Sequence, residues 1–336
     1  MSVRLDVYLD ELYACYERRR QSRTLPPGEL RQRLAEALGD FPEREEPLDP
    51  VVLERTACDG YIRERVEFGT GDGLRLPAYV LVPAERPGPF PAVLALHGHG
   101  FGSREALGLN VDGSERTGNF GIHRRFAVEL VRRGLLVVAP EMAGFGDRRL
   151  EADVQEGPDR SSCATLAVHL LMYGKTLAGL RVFEARRSID YMLERPDVDG
   201  NRIGCIGFSG GGLVAAYASA LDSRIRATAL CGFVNTFKGS ILARNHCLDN
   251  YVPGLLRYAE LPEWIGLIAP RPLFVETGLY DRVFPAEHAR EALAVLEAVY
   301  TSFGAADLLA YDFFPGGHEV GGQRVFDWMA AVLLKV

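Results

Sequence analysis

The 336-residue chain lacks the marks of several protein classes. Its six cysteines (Cys15, Cys58, Cys163, Cys205, Cys231 and Cys247) are scattered and contain no C-x-x-C pair, which speaks against a zinc knuckle or disulfide framework and for reduced thiols. Basic residues are outnumbered, 38 Lys and Arg against 45 Asp and Glu, and the net charge of −7 gives no electrostatic footprint for nucleic acid. The first residues carry charges at Arg4, Asp6, Asp10 and Glu11, so the unbroken apolar stretch of a signal peptide is missing and a cytoplasmic location is expected. One window, 203–221, runs 19 residues without a charge, but its five glycines suit a buried strand, turn and helix better than a membrane span. No internal repeat, low-complexity run, H-E-x-x-H or carboxylate cluster is apparent, and the reading at this level is no metal, no cofactor, no nucleic acid and no membrane partner.

The content is that of an ordinary globular chain, 47% hydrophobic and 25% charged, long enough to bury a large core. Residues 1–60 are charge-rich and read as a helical extension: Leu5, Leu9, Leu12 and Tyr16 recur at helical spacing, and 29–38 follows Pro26-Pro27-Gly28 as a second helix. From Tyr61 the period changes. Strand-like runs at 61–68 and 74–82 flank Thr70-Gly71-Asp72-Gly73, a loop suited to a hairpin.

Strand candidates at 92–96, 135–139, 202–207, 227–231, 272–277 and 308–314 then alternate with helix candidates at 124–133, 177–194, 211–221, 286–299 and 323–334. Alternation of this kind, with nearly all-apolar strands, predicts an α/β fold with a mostly parallel sheet covered on both faces over 61–336. Three long excursions, 101–121, 144–175 and 232–267, follow strand C-termini, where such sheets place their binding crevice.

Gly207-Phe208-Ser209-Gly210-Gly211-Gly212 sits between an apolar strand candidate and a helix candidate. A nucleophile on a sharp strand-to-helix turn needs small neighbours, because its strained backbone crowds both flanks. With 36 Gly and 12 Ser in the chain, chance supplies roughly 0.14 G-x-S-x-G matches, so the strand–turn–helix context carries more weight than the motif. A serine hydroxyl also needs a base and an acid to orient that base. Asp281 follows one later strand candidate and His318 the next, which gives the chain order Ser, Asp, His. Asp281 as a helix cap and His318 as a turn residue are the plainer alternatives. For an oxyanion, the Gly210 N–H is one candidate donor and the His99 N–H, in His97-Gly98-His99-Gly100, the second; a metal site is the other reading of the two histidines. Phe208, Glu141, Phe233, His246 and Trp264 are candidate pocket walls, since aromatic surface with a few polar tips suits a small organic ligand; for those in 232–267 a helical flap with its own small core is the equal alternative.

These residues resemble the α/β-hydrolase superfamily, and within it the acetyl xylan esterase and dienelactone hydrolase-like branch of bacterial esterases. The likeness runs from Tyr61 onward and is strongest in 181–212, where RSIDYMLERPDVDGNRIG at 187–204 is similar to that branch's approach to the nucleophile. It implies an eight-stranded, mostly parallel sheet and a serine carboxylic-ester hydrolase acting on small short-acyl esters such as acetylated carbohydrates. Ser209 matches the nucleophile, Asp281 the acid, His318 the base and 97–100 the oxyanion loop. Two departures stand out: serine replaces the cysteine of dienelactone hydrolases proper, and Glu141 opens a loop that more often begins with Asp. An acyl-peptide or amide hydrolase and a non-catalytic binding protein of the same fold are the competing readings. The expected partner is a small ester substrate, and self-association into a homo-oligomer stays open.

Overall fold

The computed structural model describes residues 4–42 and 46–335. Nine strands, β1 Val51–Cys58, β2 Tyr61–Gly71, β3 Leu74–Pro83, β4 Phe90–Leu96, β5 Leu136–Pro140, β6 Val198–Phe208, β7 Ile225–Cys231, β8 Leu273–Gly278 and β9 Leu309–Phe314, form one sheet. Its order is β1-β2-β3-β5-β4-β6-β7-β8-β9. The first three strands and the β3–β5 contact are antiparallel, and every pairing from β5 to β9 is parallel. The expected hairpin is present, with Asp72 and Gly73 at positive φ between β2 and β3.

The sheet has one strand more than the resemblance implied, because β1 lies inside the stretch expected to be helical. Its residues show little alternation, being exposed over 51–55, and what defines it is the ladder with β2. An edge strand held by backbone hydrogen bonds leaves a weak signature in side-chain periodicity. The helical extension is therefore Leu5–Ser22 and Pro27–Leu38. The second helix buries Leu30, Leu34 and Leu38. The first does not use its apolar stripe: Leu5, Leu9 and Leu12 are exposed, and it is tied down by Tyr13 Oη–H donating to Glu260 at 3.2 Å and Arg20 donating to the Leu256 carbonyl at 2.7 Å.

Strands β4, β5 and β8 are buried along their whole length, as a sheet covered on both faces requires. One core packs helices Leu177–Glu194 and Gly210–Leu221 on one face, the other packs Phe126–Val131 and Val325–Leu334 on the opposite face. The uncharged window 203–221 divides between the end of β6 and the helix Gly210–Leu221. Among the described residues no single helix is long and apolar enough to cross a membrane; Cys163–Met172 and Leu177–Glu194 reach that length only as a pair bent by 99°.

Candidate active site

Registry aligns the strand ends that matter. Leu96 pairs with Gly207, Phe208 with Cys231, and Gly278 with Phe314, so the loops after β4, β6, β8 and β9 leave one edge of the sheet. Ser209 stands between β6 and its helix at φ 55, ψ −119, a strained conformation held by its N–H donating to Cys231 O at 2.9 Å. The glycines explain why the turn closes: a Cβ on Gly207 would fall on the Gly211 carbonyl, and one on Gly211 on the Leu96 carbonyl.

His318 Nε2 accepts from Ser209 Oγ–H at 2.8 Å, and His318 Nδ1–H donates to Asp281 Oδ2 at 2.8 Å. The other Asp281 oxygen accepts the Val283 and Phe284 N–H groups at 2.7 and 2.8 Å, so this carboxylate closes its own turn while orienting the imidazole. The helix that follows, Ala286–Ser302, has Pro285 at its N-cap and no side-chain cap. Phe208 and Phe284 flank the His318 ring at 5.0 and 5.8 Å between centroids. Ser209 is only 7% exposed.

Two supports escaped the sequence reading. Glu276, in the interior of β8, accepts the Gly321 and Gly322 N–H groups, each at 2.9 Å, and so anchors the loop that carries His318. Burial raises its pKa, with those same donors pulling the other way. His123 is fully buried and its Nε2 accepts the Gly98 N–H at 2.9 Å, fixing the loop after β4. Burial, then the nearby His97, lower its pKa to about 3. An acidic residue inside an apolar strand run is the one sequence signal for Glu276, and His123, a lone histidine between the 101–121 excursion and the helix candidate at 124–133, offers none.

The two histidines at 97 and 99 separate. His97 is wholly buried, its Nδ1–H donating to Gly98 O at 2.8 Å and its Nε2 accepting the Met142 N–H at 3.1 Å. His99 turns its ring toward Cys163, Cys247 and Asp249. Among the described residues the His99 and Gly210 N–H groups have no hydrogen-bond partner, and Gly210 opens the helix Gly210–Leu221.

Four of the five expected pocket walls are buried. Trp264 and Phe233 are buried core residues, the indole donating to Ala259 O at 3.1 Å and Phe233 packing on Phe284. Phe208 is buried between His318 and His123. Glu141 is wholly buried and accepts Ser103 N–H and Oγ–H at 2.8 and 2.9 Å. Burial would raise its pKa, yet His97 and the Ser103 donors outweigh it and hold the carboxyl below the usual value. Only His246 remains half-exposed, its ring 5.2 Å from Phe284. Packing draws Trp264, Phe233 and Phe208 inward because large aromatic rings gain most from leaving water, whereas Glu141 is held inside by the Ser103 donors. A cavity of about 1010 Å³ is lined by Leu38, Phe41, Phe183 and Leu221. It lies at the far end of the helix Gly210–Leu221, roughly 18 Å along its axis from Ser209.

The chain is 33% identical over 296 residues to YtaP of Bacillus subtilis (strain 168), a protein provisionally named a hydrolase, covering 86% of this chain and 93% of that one. Among solved structures, a provisionally named acetyl xylan esterase of Bacteroides fragilis NCTC 9343 superposes with a TM-score of 0.71 at 19% identity, covering 86% of this chain and 74% of the other. A glucuronoyl esterase from Solibacter usitatus gives a TM-score of 0.67 at 18% identity, with 92% of each chain covered. At those identities the structural likeness speaks for the fold. The Abhydrolase family profile matches residues 27–298, which takes in Ser209 and Asp281 and stops short of His318, and with that match over most of its length the chain belongs to the Abhydrolase family and has the α/β-hydrolase fold.

Proposed function

We propose that this protein is a serine hydrolase of small short-acyl carboxylic esters, with esters on carbohydrates as the substrate class. The observation that carries the reading is the unbroken hydrogen-bond chain from Ser209 Oγ through His318 to Asp281 at a strained turn. In this mechanism His318 Nε2 takes the Ser209 proton as Oγ attacks the ester carbonyl, and Asp281 stabilises the imidazolium that forms. The Gly210 and His99 N–H groups receive the oxyanion, each strong donor lowering the barrier by about 2.7–4 kcal/mol. His318 then protonates the leaving alcohol, and water, deprotonated by the same nitrogen, releases the acid.

The substrate class is supported by what structural neighbours are called, an acetyl xylan esterase and a glucuronoyl esterase, together with the low exposure of Ser209. Two measurements test it. Ser209→Ala should lower kcat by ~10³-fold or more and abolish labelling by a fluorophosphonate, while the circular dichroism spectrum is retained; activity within tenfold of the parent overturns the nucleophile assignment. A panel of p-nitrophenyl esters beside an acetylated sugar and a methyl glucuronate should give higher kcat/KM for acetyl and propionyl than for octanoyl esters, since a hydroxyl as buried as that of Ser209 leaves little room for surplus methylenes. An optimum at eight carbons or beyond refutes the short-acyl reading and leaves Ser209 untouched.

A further inference from the structure

Beside the elbow turn, four side chains with no part in the proposed hydrolysis converge. The donor atoms of His99, Cys163, Cys247 and Asp249 all lie within 4.8 Å of one another. They arrive from three separate stretches: the loop after β4, the start of the helix Cys163–Met172, and the turn around Leu248–Asn250. Cys163 and Asp249 are buried, and His99 Nε2, shielded from solvent, has no hydrogen-bond partner and sits 3.8 Å from Asp249 Oδ2. A Cβ placed on Gly210 would stand 3.1 Å from the His99 ring and 3.6 Å from Asp249, so the cluster abuts the turn that holds Ser209.

We propose that His99, Cys163, Cys247 and Asp249 bind one zinc-class divalent cation that pins the loop after β4 to the two excursions around it. Two sulfurs, an imidazole nitrogen and a carboxylate oxygen make a donor set that suits zinc and is foreign to magnesium or calcium. Tetrahedral bonding at ~2.3 Å to sulfur and ~2.0 Å to nitrogen puts neighbouring donors about 3.6 Å apart, so the widest gap closes by about 1 Å. Charge also balances: two thiolates and a carboxylate against the cation plus the buried Arg181 guanidinium leave no net charge, which suits a cluster in which Cys163, Asp249 and Arg181 are buried.

Arg181 is placed as an outer partner. It donates to Asp249 Oδ2, to Cys163 Sγ at 3.1 Å and, at 3.0 and 2.6 Å, to the Ala143 carbonyl, with its guanidinium 4.8 Å from the Phe145 ring centre. Groups that orient ligands in this way are part of a metal site's construction. Asp249 Oδ1 is held separately by the Asn250 amide at 2.7 Å. An ion here fixes the position of residue 99, whose N–H is the second oxyanion donor of the proposed mechanism, without itself touching the ester.

Cobalt(II) titration of the reduced, chelator-treated full chain tests the site. The expected result is one Co²⁺ per chain with a near-ultraviolet thiolate charge-transfer band and intense tetrahedral visible bands, all erased by Zn²⁺. Cys163→Ser and Cys247→Ser should each weaken the charge-transfer band, while Cys58→Ser and Ser209→Ala keep it, which separates this inference from the hydrolase reading. The unsubstituted chain supplies a second measurement: Zn²⁺ should protect Cys163 and Cys247 from iodoacetamide, with Cys15 and Cys58 alkylated at the metal-free rate. No charge-transfer band, a band that survives loss of both cysteines, or a chain that binds no zinc yet forms a Cys163–Cys247 disulfide under peroxide would each overturn it, the last assigning the pair as a redox dithiol.

Discussion

Acidification should strike this protein at His123. The imidazole is fully buried, stacked on Phe126 at 6.4 Å and edge-on to Phe208 at 5.1 Å, with Nε2 accepting the Gly98 N–H. Protonation would set a donor against a donor at a fully buried position. The folded pKa is lowered from 6.5 to about 3, burial being the main cause. A lowered pKa means that the unfolded chain binds the proton more readily, so the contribution is whole above pH 6.5 and drains away as pH falls toward 3. At about pH 4.5, two units below the unfolded value, the loss is roughly 2–3 kcal/mol. Urea unfolding at a series of pH values between ~8 and ~4.5 measures it, with His123→Gln as the control: glutamine keeps an acceptor for Gly98 and does not titrate. Subtracting the variant's curve removes the carboxylates common to both, and the remaining difference should grow by about that amount. Parallel curves, or a His123 ring resonance that titrates near 6.5, would refute the reasoning.

Two further outcomes follow from packing. Gly211→Ala sets a methyl on the Leu96 carbonyl, a backbone atom with no room to retreat, so stability should drop by about 1–3 kcal/mol and fluorophosphonate labelling of Ser209 should slow; a thermal melt and labelling rate equal to the parent's would contradict the close-approach argument. Glu276→Gln offers one acceptor and one amide donor to two N–H groups, which should cost about 1–3 kcal/mol in urea unfolding and lower kcat more than it changes KM, because the loop it anchors carries His318 rather than substrate contacts; unchanged kcat shows that the loop is held by other means.

The sequence by itself determined the alternation of strands and helices, the hairpin at Asp72-Gly73 and the turn at Ser209, because each is written in local chemistry: apolar runs, glycines at positive φ, small neighbours around one serine. It also placed Asp281 and His318 on neighbouring strand ends, since parallel strands fix which loops share an edge. Which side chains would face a ligand was beyond it. Trp264, Phe233 and Glu141 have pocket-like chemistry and are buried, a matter of which atoms pack against them and not of residue type. The stripe of Leu5, Leu9 and Leu12 has core-like spacing and faces solvent for the same reason. Strand β1 escaped because its identity lies in hydrogen bonds to β2, and periodicity in one segment carries no record of a partner. The convergence of His99, Cys163, Cys247 and Asp249 belongs to tertiary structure alone: His99 and Asp249 stand 150 positions apart, and only the closing of three loops over one sheet edge brings their atoms together.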